Sequence, residues 1–162
     1  MHPQLDLQLL VLLAVANTAP LLGKRALGDR LAWPLDGGLT FVDGRPLFGA
    51  SKTLRGLVLA LLATTAAGAL VGPDWRIGAL VAAGAMAGDL LSSFLKRRFG
   101  LMPSSRATGL DQVPEALLPL LVCRTALPLT LADIALLVAL FFAGEVLFSR
   151  LFYRLGLRDR PY

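Results

Sequence analysis

Five long apolar stretches dominate this chain of 162 residues. A helix that crosses the hydrocarbon core of a bilayer needs about 20 mostly apolar residues. The stretches have close to that length, and 56% of all residues are hydrophobic, which is too apolar for an ordinary soluble domain. The sequence therefore predicts an all-α, polytopic integral membrane protein with one membrane-embedded domain over residues 1–162. The predicted helices cover residues 5–22, 54–71, 77–95, 113–129 and 131–152.

Lysine and arginine residues are distributed unevenly between the ends of these stretches. Most of them lie in the connections 23–53 and 96–112 and near the C-terminus, whereas the turn around 72–76 holds only Arg76. Cytoplasmic loops of membrane proteins are enriched in Lys and Arg. We therefore expect five crossings of the plasma (inner) membrane, an N-terminus outside, and two loops and the C-terminus in the cytoplasm. The same sorting, with attraction to anionic headgroups, accounts for the net charge of +5 without a nucleic acid partner.

The first predicted cytoplasmic loop contains a segment suited to binding phosphate. Residues Phe48–Gly56, FGASKTLRG, lead into the second helix, where Lys52 and Arg55 supply positive charge and Thr53 a hydroxyl group. Glycines and the free amides of a helix start add to this chemistry, although the spacing is not that of a Walker A motif. The alternative is a helix cap with solvated bases. Upstream, two Asp-Gly turns flank Leu39–Val42 and predict a small hairpin.

The third stretch carries an acid inside an apolar run. Asp89 is followed by Ser93, Lys96 and Arg97 at offsets that share one helix face. An acid within a membrane helix usually faces the bundle interior or a wet cavity and often marks function. The alternative is an ion pair of Asp89 with a lysine or an arginine whose side chain merely reaches the membrane surface. Small residues that allow close helix packing extend the same face: Gly84, Ala85 and Gly88.

A second acidic segment precedes the fourth stretch. Asp111 and Glu115 are four residues apart, and Pro114 suits a first helical turn. Together with Asp89 they can offer oxygen ligands to Mg²⁺, which binds carboxylates together with substrate phosphates. The alternative for Asp111 is a helix N-cap.

Six sequence blocks in order resemble the CDP-archaeol synthases, which are membrane CTP:lipid-phosphate cytidylyltransferases. The blocks are N-x-x-P at Asn17–Pro20, PLDGG at Pro34–Gly38, DGRPLFG at Asp43–Gly49, SKTLRG at Ser51–Gly56, GDLLSSFLKRR at Gly88–Arg98 and LDQ at Leu110–Gln112. Two of them, SKTLRG and GDLLSSFLKRR, also resemble more distantly the phosphatidate cytidylyltransferases. The resemblance implies transfer of CMP from CTP to a lipid phosphate, with Mg²⁺ as cofactor. The products are pyrophosphate and a CDP-activated lipid for phospholipid biosynthesis.

The resemblance also implies roles for individual residues. The implied catalytic residues are Lys52, Asp89, Lys96 and Asp111. The implied metal ligands are Asp89, Asp111 and Glu115, the last either directly or through another ligand. The implied substrate-binding residues are Asn17, Asp36, Gly38, Asp43, Gly44, Gly49, Thr53, Arg55, Ser93 and Arg97. In this scheme the bases bind phosphates, the hydroxyls hydrogen-bond them, and the two Asp-Gly loops shape the nucleotide pocket. Asn17 either lines that pocket from the membrane side or makes an interhelix hydrogen bond.

Two other functions are compatible with a small polytopic protein. A CDP-alcohol phosphotransferase should carry D-G-x-x-A-R, but Asp43-Gly44 is not followed by Ala-Arg at the required place. A non-enzymatic membrane scaffold or transporter subunit predicts no dependence on CTP and tolerance of changes at Asp89, and no inverted repeat favours a transporter. The sequence leaves open the lipid, the number of Mg²⁺ ions, homo-oligomerisation, and the roles of Arg124 and Glu145.

Overall fold

Five α-helices make up the fold of the described part of the chain. The computed structural model describes residues 3–102, 105 and 107–154, apart from the side chains of 149–154. The helices are α1 Pro3–Leu27, α2 Leu54–Leu70, α3 Trp75–Arg98, α4 Gln112–Cys123 and α5 Leu131–Arg154. The predicted all-α fold is thereby confirmed. Residues 155–162, which belong to the predicted cytoplasmic tail, and Arg106 of the second predicted loop lie outside the described residues.

Three helices are long and apolar enough to cross a bilayer. Within the described part of the chain these are α1, α3 and the Leu131–Phe148 part of α5. The other two, α2 with 17 residues and α4 with 12, measure about 26 and 18 Å at 1.5 Å per residue. Both are shorter than the apolar core of a bilayer, about 30 Å. The membrane character of the protein is clear from the three long helices, and the number of crossings stays a prediction.

The predicted fourth helix, 113–129, is too long. The helix α4 ends at Cys123, and the next residues form tight turns in which the Ala126 and Leu127 N–H groups both donate to the Cys123 carbonyl. Pro128 follows, and proline disfavours helical backbone in the residue before it. Apolar residues continue to Leu129, so hydropathy does not reveal where the helix ends.

Bases assigned to the predicted loops instead complete two helices. Lys24 and Arg25 lie in the last turn of α1, and Lys96–Arg98 form the last turn of α3. Positive charge near a helix C-terminus is favourable because it meets the negative end of the helix dipole. The connections between helices are consequently shorter than predicted, and the bases are held on rigid elements.

Glycines on α3 allow α4 to pack against it at backbone contact. A Cβ atom on Gly84 would lie 2.5 Å from the Cα of Pro119, and one on Gly88 would lie 2.2 Å from the Pro114 carbonyl oxygen. No larger side chain fits at either position without movement. Because Gly88 meets Pro114 and Gly84 meets Pro119, the two helices are antiparallel. The acids that follow Gly88 and Pro114 in sequence are thereby brought side by side.

The hydrophobic core fills the half of the bundle near the start of α1. Its fully buried members come from four helices and include Leu9, Leu12, Val81, Leu120 and Leu137. The opposite half contains the polar ends of α1 and α3 and the connection that precedes α2. The functional groups predicted from the sequence lie in this second half.

The connection between α1 and α2 contains a short hairpin-like turn. The Phe41 N–H donates to the Arg45 carbonyl at 2.8 Å, and the Leu47 N–H donates to the Leu39 carbonyl at 2.9 Å. Gly44 closes the turn with a φ of 73°, which favours glycine. Only isolated bridges form rather than a regular strand, so the predicted hairpin at 39–42 is present in reduced form.

Candidate active site

A cavity of about 560 Å³ opens at the polar half of the bundle, and we refer to it as the polar cavity. It lies between α1, α3, α4 and the segment before α2. The predicted site residues in its wall are Asn17, Lys52, Asp89, Ser93, Lys96, Arg97 and Glu115. The four on α3 share one face of that helix, as their spacing predicts.

An ion pair between Lys52 and Asp89 lies in the wall of this cavity. The Lys52 Nζ is 2.5 Å from both carboxylate oxygens of Asp89. Lys52 comes from the segment before α2 and Asp89 from α3, so the pair joins two elements that are 37 residues apart. The alternative interpretation, an ion pair between Asp89 and a base, is thus present, with Lys52 as the base. The pair also lies in the cavity wall, where it presents an acid and a base from different elements to the same space.

A second ion pair connects α3 with the turn before α4. The Lys96 Nζ lies 2.7 Å from Asp111 Oδ1 and donates to the Ser105 carbonyl at 3.1 Å. The other carboxylate oxygen of Asp111 accepts from the Ala107 N–H at 3.0 Å. Asp111 has helical backbone and makes no side-chain cap bond to α4. Asp111 therefore occupies the N-cap position of α4 without capping the helix, because its carboxylate closes the preceding turn.

The three predicted metal ligands lie in two places. The Glu115 and Asp89 side chains lie close together in the wall of the polar cavity, whereas Asp111 is held by Lys96 outside that wall. Within the described residues, no group of three or more His, Cys, Asp or Glu side chains is arranged to hold a metal ion. Asp89 and Glu115 thus form a site with two carboxylates. A role for Asp111 as third ligand stays a prediction.

Arg97 has buried hydrogen-bond donors in the wall of the polar cavity. The residue is only 3% exposed, and its Nη2 donates to the Met102 carbonyl at 2.8 Å. Its Nε and Nη1 are buried and have no hydrogen-bond partner among the residues that the structure describes. A buried guanidinium with free donors is suited to bind phosphate. Ser93, one turn earlier on α3, is also buried in the same wall.

A smaller cavity of about 440 Å³ adjoins the polar cavity. The two share Lys52, Asp89 and Lys24, so the Lys52–Asp89 pair is accessible from both. Lys24 was not predicted as a site residue. A base that directly follows a predicted membrane helix is the sequence signal that could have indicated it.

Thr53 and Arg55 hold the start of α2 at the smaller cavity. Thr53 is the N-cap, and its Oγ1 accepts from the Gly56 N–H at 3.2 Å. The Nη1 of Arg55 donates to the Gly28 carbonyl at 2.9 Å and also to the Arg30 carbonyl. The helix-cap interpretation therefore describes Thr53, and Arg55 ties the end of α1 to α2. Contact of either residue with a phosphate stays a prediction.

Asp36 organises the connection between α1 and α2. Its Oδ1 accepts from the Gly38 N–H at 3.1 Å, and its Oδ2 accepts from the Phe48 and Gly49 N–H groups at 2.9 Å each. Burial by itself raises the pKa of a carboxyl group, but these donors hold the pKa of Asp36 below its ordinary value. Asp36, Gly38 and Gly49 lie in the framework of the loop and do not line either polar space. Direct contact with a nucleotide stays a prediction for them.

Asp43 belongs to a contact that fastens the hairpin-like turn to α3. Its Oδ1 lies 2.6 Å from Arg98 Nη1, and the guanidinium carbon of Arg98 lies 4.8 Å from the Phe41 ring centre and 4.9 Å from that of Phe94. Such cation–π contacts add to the ion pair. Asp43 and Gly44 thus position the loop beside the end of α3, and they do not line either polar space.

Asn17 joins three helices at the membrane side of the polar cavity. Its Nδ2 donates to Glu115 Oε2 on α4 at 3.1 Å and to Glu145 Oε1 on α5 at 2.9 Å. The interhelix hydrogen bond and the position in the cavity wall are therefore both present. Glu145 was not predicted as a site residue, although an acid inside the apolar α5 is a signal that could have found it.

An apolar groove of about 380 Å³ lies between α1 and α5 and adjoins the polar cavity. Both spaces are lined by Asn17, Leu21 and Phe141. The rest of the groove wall consists of Leu10, Ala14, Thr18, Leu140, Gly144, Glu145 and Phe148. A charged cavity thus lies next to an apolar groove of the bundle.

Known proteins are similar to this chain in sequence and in fold. The sequence matches the model of the CarS-like CDP-archaeol synthase family over residues 69–162, more than half of the chain. A CDP-archaeol synthase of Sulfurisphaera tokodaii is 33% identical over 137 residues, which are 80% of this chain and 81% of that protein. The chain belongs to the CDP-archaeol synthase family. This membership confirms the resemblance carried by the six sequence blocks.

Two further similarities bear on the extent of the match. A CDP-archaeol synthase of Saccharolobus islandicus is 42% identical over 85 residues, or 49% of this chain and 51% of that protein. The chain thus spans about half the length of the Saccharolobus relatives that it matches. A solved structure described as an intramembrane enzyme for archaeal membrane lipids biosynthesis shares the fold, with a TM-score of 0.72 and 29% identity. That match covers 86% of this chain and 91% of the other.

Proposed function

We propose that the protein transfers CMP from CTP to a lipid phosphate, giving pyrophosphate and a CDP-activated lipid such as CDP-archaeol or a CDP-diacylglycerol-like product. The observation that carries this proposal is that the polar cavity and the apolar groove lie side by side and share the wall residues Asn17, Leu21 and Phe141. A lipid phosphate has a charged head and hydrocarbon chains, and the two spaces offer each part a matching environment. The proposal agrees with the names of the related proteins.

The charges of the polar cavity suit two phosphate-bearing substrates. Lys52, Lys96 and Arg97 can neutralise the triphosphate and the lipid phosphate, which otherwise repel each other. An oxygen of the lipid phosphate attacks the α-phosphorus of CTP, and a new P–O bond forms as the bond to pyrophosphate breaks. Pyrophosphate leaves with the electron pair of that bond. Catalysis of this kind depends on alignment of the reactants and on fixed charges near the leaving group.

We infer that Mg²⁺ is the cofactor. Two adjacent carboxylates fit this ion, because Mg²⁺ usually binds one or two protein carboxylates together with substrate phosphates. Asp89 and Glu115 are the residues that would hold it. When bound, Mg²⁺ neutralises charge on the phosphates and on the leaving group. The bases beside these acids remain available to the phosphate oxygens.

The proposed orientation places this chemistry at the cytoplasmic side of the plasma membrane, with the N-terminus outside and five crossings. Support comes from the bases at the ends of α1 and α3 and in the segment before α2, all of which lie in the polar half of the bundle. Enrichment of Lys and Arg is typical of the cytoplasmic side. CTP is dissolved in the cytosol, and the lipid phosphate lies at the membrane surface, so both can reach this half.

Transfer of radiolabel from CTP into the lipid phase tests the reaction. The purified protein is incubated in detergent with α-labelled CTP, Mg²⁺ and a panel of lipid phosphates with ether- or ester-linked, isoprenoid or acyl chains. We expect transfer that stops with a chelator and returns with Mg²⁺. The preferred lipid identifies the substrate. Absence of transfer to every lipid by a folded protein would overturn the proposal and favour a scaffold.

The variant Asp89→Asn tests the carboxylate site within the same assay. We expect it to abolish transfer, since it removes a charge that pairs with Lys52 and faces the cavity. The matched control is Asp74→Asn, which makes the same change at the other end of α3, where the exposed side chain makes no cap bond. Transfer that survives in Asp89→Asn would keep the reaction and refute the metal site.

A further inference from the structure

The side chain of Asn17 is fixed by two carboxylates from different helices. An asparagine amide nitrogen carries two hydrogens, and this one donates to Glu115 on α4 and to Glu145 on α5. Hydrogen bonds to charged acceptors are stronger than those between neutral groups. Removal of either acid would leave the amide held from one side only.

The two acids face different spaces. Glu115 lines the polar cavity and not the apolar groove, whereas Glu145 lines the apolar groove and not the polar cavity. Asn17 lines both. The Glu115–Asn17–Glu145 arrangement therefore forms the border between the place proposed for phosphates and the place suited to hydrocarbon chains.

An ionisable side chain in an apolar groove is unfavourable unless it is hydrogen-bonded. Glu145 is neither a member of the hydrophobic core nor one of the predicted metal ligands, and its neighbours from α5 in the groove wall, Leu140, Phe141 and Gly144, are apolar. The bond to Asn17 is a contact through which this acid reaches the rest of the site. Its place at the border indicates an effect on the substrate that crosses the border.

We propose that Glu145 is a positioning residue for the lipid substrate. It acts by holding Asn17 at the border between the apolar groove and the polar cavity. The proposal rests on the proposed cytidylyltransferase function. CTP occupies the polar side, which Glu145 does not line, so we expect its binding to depend on Glu145 far less than that of the lipid phosphate. The lipid phosphate spans the border, and its placement depends on the orientation of Asn17.

Separate titrations of the two substrates test this role. The Michaelis constants for lipid phosphate and for CTP are measured for Glu145→Ala and Glu145→Gln, each with the other substrate saturating. Loss of a hydrogen bond to a charged group should raise the KM for lipid phosphate about tenfold or more in Glu145→Ala, with the KM for CTP within about twofold of the wild type. Glu145→Gln retains an oxygen acceptor for Asn17 and should restore the KM for lipid phosphate to within about threefold.

The control is Leu136→Ala, which shortens a partly exposed side chain of α5 that lines neither space, and it should leave both constants unchanged. If Glu145→Ala does not fold in detergent, Glu145→Met supplies an apolar side chain of similar length under the same criteria. The proposal would be overturned if Glu145→Ala changed the KM of both substrates equally or of neither. It would also be overturned if Glu145→Gln failed to restore the KM for lipid phosphate. Lack of any transfer by the wild type would refute the proposed function itself, which is a separate result.

Discussion

Gly88 is a position where one added methyl group tests both the packing of the bundle and the geometry of the site. A Cβ there would lie 2.2 Å from the Pro114 carbonyl oxygen and 2.7 Å from the Glu115 backbone nitrogen, whereas real Cβ contacts essentially never fall under 3.0 Å. Both obstructing atoms belong to the backbone of α4 and cannot rotate away. To reach 3.0 Å, α4 must move away from α3 by about 0.8 Å at this point.

Gly88→Ala is expected to stabilise a free helix but to destabilise this bundle. Helix propensity alone favours alanine by about 1 kcal/mol. Overpacking costs about 1–3 kcal/mol, so we expect the variant to be less stable by up to about 2 kcal/mol. Catalysis should be more sensitive, because α4 carries Glu115 beside Asp89 and a misplacement of about 1 Å can reduce a rate on the order of 100-fold.

Melting curves in detergent and the CTP-label transfer assay measure the two effects. The control Ala87→Leu adds side-chain volume at the preceding position of α3, where the side chain is exposed, with little change in helix propensity, and it should change neither quantity. A Gly88→Ala protein that melts at a higher temperature and transfers CMP at the wild-type rate would refute the reasoning. That result would mean that the contact between α3 and α4 yields without disturbing the acids.

The other predictions concern the two contacts that hold the loops. Asp36→Ala leaves three backbone N–H groups without their acceptor and should reduce the stability of the connection between α1 and α2 by about 2–3 kcal/mol, measured as lower amide protection factors in that segment. The folded pKa of Asp36 lies below the ordinary 3.8, so the stabilisation of this segment by the Asp36 carboxylate is complete above pH 3.8. It is lost as the pH falls through the lowered pKa. Protection factors that do not change in Asp36→Ala at neutral pH would contradict this. Lys96→Met leaves the mostly buried Asp111 without its partner and should lower the melting temperature, while the double variant Lys96→Met/Asp111→Asn should recover part of the loss. A double variant less stable than Lys96→Met would argue against the pair.

The face of α3 could be predicted because it depends on local geometry alone. Offsets of four, seven and eight residues place Ser93, Lys96 and Arg97 on the same side of a helix as Asp89, whatever the rest of the chain does. The small residues on that helix likewise predicted close packing, which Gly84 and Gly88 show. Periodicity therefore gave the correct set of side chains for one wall of the polar cavity.

The partners of those side chains could not be predicted, since they depend on packing between elements. Spacing offers no reason why Asp89 pairs with Lys52, or why Asp111 takes Lys96. Asp36 shows a different difficulty. An acid in a glycine-rich loop can bind a ligand or can bind the loop's own N–H groups, and the local sequence of the two cases is the same. The role of Glu145 required the position of α5 relative to α1.

The bonds of Asn17 also bear on how the chain is made. Its partners Glu115 and Glu145 follow it by 98 and 128 residues, and a ribosome that adds about 5–20 residues per second needs roughly 6–26 seconds to reach the second. Until then the Asn17 amide on α1 lacks at least one of its two acceptors. A neutral amide is far less costly to keep in hydrocarbon than a charge. Of the three residues Asn17, Glu115 and Glu145, the uncharged one is therefore synthesised first, and both acids follow on helices that complete the bundle.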